Sequence, residues 1–241
     1  MGGKLTGEIG RPVAVVSIGF KMGRPLEEVA KVVDSEGSRG SDLIALPETW
    51  RGQNDDGSEE TLSGPAVTAM ATLAKKHRTY IVCPIDRKDG KWRFNSAVLL
   101  DRAGKVVSVY NKVYPWFSEY RVKPPVDPGR EGPPVYKADF GRVGLAICFD
   151  VNFPEVWQRL ADQEAELVIW SSAYSGGNSL KAHALNHHYY IVSSTQTPDC
   201  VVYDITGEEI LYGKGAEINV SRVTLDLDRA IYNSDAIDVS Y

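Results

Sequence analysis

The sequence predicts a mixed α/β fold. Apolar runs of strand length alternate with amphipathic stretches of helical period, the opening reads β-α-β, and no linker or internal repeat interrupts the pattern. The 241 residues are read as a single domain, 1–241, because layered α/β folds often reach this length without dividing.

In chain order, PVAVVSI (12–18) is a strand, LEEVAKVVDSEGS (26–38) a helix that ends near Gly40, and DLIALP (42–47) a second strand. GPAVTAMATLAKKH (64–77) reads as a helix. TYIVCPIDR (79–87), WRFNSAVLLD (92–101) and VVSVYNK (106–112) follow as strands, with turns at Asp89-Gly90 and Ala103-Gly104. The stretch from Pro115 to Pro134, rich in proline and glycine, reads as an ordered active-site loop or a flexible cover. The strand VGLAI (143–147) leads into a helix at 153–163, a strand at 167–172 and a helix at 178–190. Strands at 190–195, 200–205 and 208–215 complete the reading.

Composition narrows the class of protein. There are 27 basic and 32 acidic residues, a net charge of −5, and no Lys/Arg cluster interleaved with aromatics, so nucleic acid is not an expected partner. No apolar stretch approaches the roughly 20 residues that span a bilayer, and MGGKLTGEIGRP lacks the apolar core of a signal peptide. The expected location is the cytoplasm, with no membrane partner. Three scattered cysteines form neither a disulfide framework nor a CxxC zinc pair, and no cofactor or metal is expected.

Three reactive side chains stand at strand ends: Glu48 just beyond DLIALP, Lys112 closing VVSVYNK, and Cys148 directly after VGLAI. A thiol delivered by a buried strand into a turn ahead of a helix is placed to meet unpaired backbone N–H groups, which favour a thiolate. Singly, each has an ordinary reading as a helix cap, a solvated lysine or a core thiol; the three together argue for chemistry. Cys83 and Cys200 lie in apolar runs and read as packing residues. His183 and His187 stand four apart on a helix beside His188, but no HExxH or carboxylate motif completes a metal site, and they read as surface or interface histidines. There is no GxSxG elbow or phosphate loop.

LPETW around Glu48, YNKVYPW around Lys112 and GRVGLAICFDVNFPEVWQRLA around Cys148 match, in order, the Glu-Lys-Cys triad of the nitrilase or carbon–nitrogen hydrolase superfamily, which the chain resembles over almost its whole length. The resemblance implies a four-layer α-β-β-α sandwich and association into a homodimer or higher homo-oligomer through helices on one face. It also implies a second glutamate after the lysine, for which Glu119 is placed, positioning the lysine or the substrate.

The implied chemistry is hydrolysis of a non-peptide C–N bond. Cys148 is the nucleophile that forms a thioester acyl-enzyme, Glu48 the base and later the acid, and Lys112 with the Phe149 N–H the partners of the carbonyl oxygen. A small-molecule amide releasing ammonia is the expected substrate, with an N-carbamoyl compound or a nitrile as alternatives; a catalytically idle binding or scaffold member is the alternative of another class. Where carboxylate-selective branches carry an arginine four residues after the nucleophile, this chain has Asn152, which cannot form the bidentate pair. A free carboxylate on the substrate would then need Arg121, Lys123 or Arg130 to reach in. Trp116, Phe117, Phe149, Trp170 and Tyr174 are the expected walls of the pocket and suit an apolar or aromatic acyl group. His183-Ala184-Leu185-Asn186-His187 departs from the Arg-Ala-x-Glu-Asn pattern frequent in the family.

Overall fold

The computed structural model describes residues 10–55 and 57–231; the stretches at 1–9 and 232–241 lie outside it, including most of the segment read for a signal peptide. Two six-stranded sheets face each other. In the first, in spatial order, lie β12 (Ile218–Asp226), β1 (Pro12–Phe20), β2 (Leu43–Ala45), β3 (Tyr80–Asp89), β4 (Trp92–Leu100) and β5 (Val106–Asn111). The second runs β11 (Glu209–Lys214), β10 (Asp199–Tyr203), β9 (Tyr190–Thr195), β8 (Leu167–Ser172), β7 (Arg142–Ile147) and β6 (Val135–Lys137).

Each sheet is built on the same plan. In the first, β1, β2 and β3 are parallel neighbours connected through α1 (Leu26–Ser38) and α2 (Pro65–His77). In the second, β7, β8 and β9 are parallel and connected through α3 (Pro154–Asp162) and α4 (Gly177–His187). Parallel strands need such crossovers, and the helices then cover the sheet's outer face.

Three apolar cores separate four layers. Val15, Leu43, Val82 and Leu99 of the first sheet meet Leu145, Ile169, Val192 and Val202 of the second in the central core. Val29, Val33, Val67 and Met70 seal α1 and α2 against the first sheet. Trp157, Leu160, Leu180 and Ala184 seal α3 and α4 against the second. The α/β sandwich therefore has helices outside and sheets inside.

Several boundaries differ from the sequence reading for local reasons. The second strand is three residues long, because Leu46 and Pro47 already turn towards Glu48. The helix expected to reach Tyr190 stops at His187: His188 takes a left-handed conformation, its N–H bonds to the Ala184 carbonyl, and Tyr190 opens β9. β12 was not expected at all, yet it pairs residue for residue with β1 along nine positions. Its Asn219, Ser221, Arg222 and Thr224 dilute the apolar signal that marks a strand.

Candidate active site

Parallel α/β sheets expose the carboxyl ends of their strands as a ready place for a site, and the candidate side chains gather there. Glu48 follows β2 on a turn held by both sheets: the Leu46 carbonyl accepts from Ser171 Oγ of β8 at 2.9 Å, and the Glu48 carbonyl accepts from Gln196 Nε2 at 2.6 Å. Lys112 follows β5; its N–H donates to the Asn95 carbonyl at 2.9 Å, and its own carbonyl accepts from Gly129 N at 2.8 Å. Gly129 has to be glycine there, because a Cβ would collide with the Asn111 carbonyl.

The Lys112 ammonium is almost fully buried and paired twice, with Glu48 Oε1 at 2.9 Å and Glu119 Oε2 at 2.6 Å. Burial opposes its charge, but the fields of Glu48 and Glu119 outweigh this and hold it protonated well above the ordinary lysine value. Glu119 lies on a single 3-10 turn, Phe117–Tyr120, and Oε2 also accepts from Trp116 N at 2.6 Å. Asn95 of β4 joins the two carboxylates, its Nδ2 donating to Glu48 Oε1 at 2.7 Å and to Glu119 Oε1 at 2.8 Å. Glu48 Oε2 is buried with no hydrogen-bond partner among the described residues.

Cys148 opens a short 3-10 turn, Cys148–Asn152, at the end of β7, with φ at 44°. A left-handed conformation at a non-glycine residue costs on the order of 1–3 kcal/mol, and the turn is clamped on all sides to hold it. Its carbonyls accept from Trp170 Nε1 (on Cys148, 3.1 Å), Trp157 Nε1 (on Asp150, 2.9 Å) and His183 Nε2 (on Val151, 2.9 Å). Asp150 Oδ2 accepts from Ile147 N at 2.9 Å, closing the turn from inside.

Burial, then the Glu48 charge, push the Cys148 thiol up; Lys112, the Ala173 N–H and the Ser172 hydroxyl pull it down without prevailing. The resting sulfur is therefore a thiol.

Glu48, Lys112, Glu119 and Cys148 all line one cavity of about 690 Å³. Trp116, Phe149, Asn152 and Tyr174 line it too, Trp116 edge-on to Phe149 at 4.6 Å between centroids. Two expected wall residues stand elsewhere. Trp170 is fully buried under the Cys148 turn, and Phe117 is 59% exposed with the Arg121 guanidinium stacked on its ring at 3.8 Å. The other possible carboxylate partners also lie outside the lining: the Arg130 guanidinium rests on Trp92 at 4.8 Å, and Lys123 contacts Asp55 through its backbone N–H. Met22, Val122 and Gln196, which the sequence reading did not single out, are also among the lining residues. Cys83 and Cys200 are buried and unpaired, and among the described residues no group of three or more His, Cys, Asp or Glu side chains could hold a metal. No helix among them is long and apolar enough to cross a membrane.

A double-sheet sandwich with a thiol, carboxylates and a buried ammonium at one set of strand ends belongs to the nitrilase class of α/β hydrolytic folds. The chain is a member of the carbon-nitrogen hydrolase family, whose model matches residues 24–231, and it is accordingly a hydrolase of C–N bonds. It is 29% identical to a deaminated glutathione amidase of Synechocystis sp., over 71% of each chain. It is 32% identical to a formamidase of Bacillus cereus, over 72% of this chain and 54% of the relative, so it spans about half of that enzyme's length. In fold it is similar to an amidase of the nitrilase superfamily from Nesterenkonia AN1, solved as a cysteine-to-serine mutant, with a TM-score of 0.76 at 20% identity over 91% of this chain and 93% of that one. The cysteine-to-alanine mutant of the same amidase was solved in complex with butyramide.

Proposed function

We propose that the chain is a cysteine-dependent amidase that hydrolyses small, uncharged carboxamides to the acid and ammonia. The observation that carries this reading is that Glu48, Lys112, Glu119 and Cys148 line one cavity, with Glu48 Oε2 buried and free of any hydrogen-bond partner among the described residues. In the first half-reaction the Cys148 sulfur bonds to the amide carbon while its proton passes to Glu48. Negative charge moves to the carbonyl oxygen. Lys112 has three donors, of which Glu48 and Glu119 take two; the third, with the Phe149 N–H, meets the oxyanion. The C–N bond then breaks as Glu48 returns the proton to nitrogen, and ammonia leaves a thioester on Cys148. Water attacks that thioester with its proton drawn to Glu48, and release of the acid restores the thiol.

The amidase names of the sequence relatives and the butyramide complex of the structural neighbour support an amide over a nitrile or an N-carbamoyl compound. A homo-oligomer in the cytoplasm belongs to the same reading, the first by family resemblance and the second because Cys148 must stay reduced. The test is ammonia release from a panel of aliphatic, aromatic and carboxylated amides, N-carbamoyl compounds and nitriles, by wild type and Cys148→Ala. Release that disappears in the variant is expected. Release that persists, or silence of the wild type on the whole panel, overturns the proposal.

A further inference from the structure

We infer that Asn95 is a positioning residue that holds Glu48 with one oxygen occupied and the other free to take the Cys148 proton; the inference rests on the amidase reading above. Both Nδ2 protons are used, one on Glu48 Oε1 at 2.7 Å and one on Glu119 Oε1 at 2.8 Å. The amide orientation is set by these acceptors, since turning Oδ1 towards two carboxylates would replace two attractions with two repulsions. With Lys112 also on Glu48 Oε1, that oxygen carries two donors, and Oε2 has none. Oε2 is therefore the Glu48 oxygen left open to a proton.

Packing alone does not account for the residue. Asn95 is 1% exposed, and its Oδ1 is buried without a partner among the described residues. An orphaned buried acceptor is costly, and an apolar side chain of the same size would fill the space without it. The same residue sets the cation through its backbone, where its carbonyl accepts the Lys112 N–H at 2.9 Å. Asn95 does not line the cavity and so acts through Glu48 and Glu119 rather than on the substrate. A neutral double donor between two carboxylates also relieves their mutual repulsion.

Asn95→Leu keeps the volume and removes both donors. The expected result is a kcat about tenfold lower, the size of one hydrogen bond to a charged group, with KM unchanged. Iodoacetamide alkylation of Cys148, which needs no substrate, should slow by a similar factor, and Asn95→Ser should shift both readouts the same way. Glu48→Gln serves as the reference. If it slows alkylation and Asn95→Leu does not, the Asn95 inference falls alone; if Glu48→Gln alkylates like the wild type, the base reading falls and takes the inference with it. Circular dichroism establishes folding. Should neither Asn95 variant fold, the wild type decides by NMR: the Asn95 side-chain NH₂ resonances are expected to shift with the pH step of Cys148 alkylation, and resonances that stay flat across it overturn the inference.

Discussion

The Tyr110 hydroxyl donates to Asp150 Oδ2 at 2.8 Å, tying the strand that ends in Lys112 to the turn that begins with Cys148. Both residues are buried, and the bond crosses from one sheet to the other. It fixes the spacing between ammonium and sulfur independently of the side chains that face the substrate. Burial pushes Asp150 up from 3.8 to about 7, against Lys112, the Ile147 N–H and the Tyr110 hydroxyl, which favour its charge.

That value gives stability a pH dependence with a definite sign. Between the ordinary carboxyl value and about 7 the unfolded chain has lost this proton while the folded chain keeps it, so stability falls as pH rises through that window and levels above it. Asp150→Asn resembles the protonated acid and removes the effect. At ~1.4 kcal/mol per pH unit, the gain at pH 8 is capped at about 4 kcal/mol. Urea melts of both proteins from pH 4 to 8 check this; curves that stay parallel across the range contradict it.

The two ion pairs of Lys112 are unequal in what their loss leaves behind. Glu119→Gln leaves the ammonium paired with Glu48, whereas Lys112→Met leaves two buried carboxylates with no cation. The second should lose roughly 3–5 kcal/mol, the range for an uncompensated buried charge, and the first clearly less. Denaturant midpoints at pH 7 measure the difference, and equal losses would show that the two carboxylates do not depend on the cation.

His183 contributes a slope opposite to that of Asp150. Burial lowers it, the Val151 carbonyl raises it, and the His187 charge lowers it further, so the folded ring stays neutral below the ordinary 6.5 while the unfolded ring takes a proton. Its share of stability is intact above that value and declines as pH falls beneath it. His183→Gln can still donate to Val151 and should flatten the decline in Tm between pH 7 and 5. An unchanged decline would move the acid sensitivity to another group.

The strand ends of the proposed chemistry stand out in the sequence because apolar runs stop at Leu46, Tyr110 and Ile147. The supporting network was less legible. Asn95 is a polar residue inside the buried strand, as are Arg93 and Ser96, and its partners are 24 and 47 residues away. Adjacent aromatics were also ambiguous: Trp116 faces the cavity and Phe117 faces solvent because a 3-10 turn starts between them. Trp170 points from β8 into the core under α3 and α4 and holds the Cys148 carbonyl, a role that no periodicity distinguishes from that of a wall.

The charge pattern of the cavity predicts its selectivity. Lys112 is already matched to two carboxylates, Arg121 and Arg130 are stacked on aromatic rings away from the lining, and the position beside the nucleophile turn is the neutral Asn152. A substrate carboxylate would enter beside Glu48 and Glu119 without a free cation among the lining residues, whereas an apolar acyl group meets Met22, Trp116, Val122, Phe149 and Tyr174. An unpaired charge there costs on the order of 2–3 kcal/mol, so uncharged amides should exceed carboxylated ones of equal length by about 100-fold in kcat/KM. Asn152→Arg should narrow that ratio from the carboxylate side, since a guanidinium can pair with the entering group. Comparable kcat/KM for the two series in the wild type would mean that a cation does reach the bound substrate, and Arg121→Ala would then be the variant that identifies it.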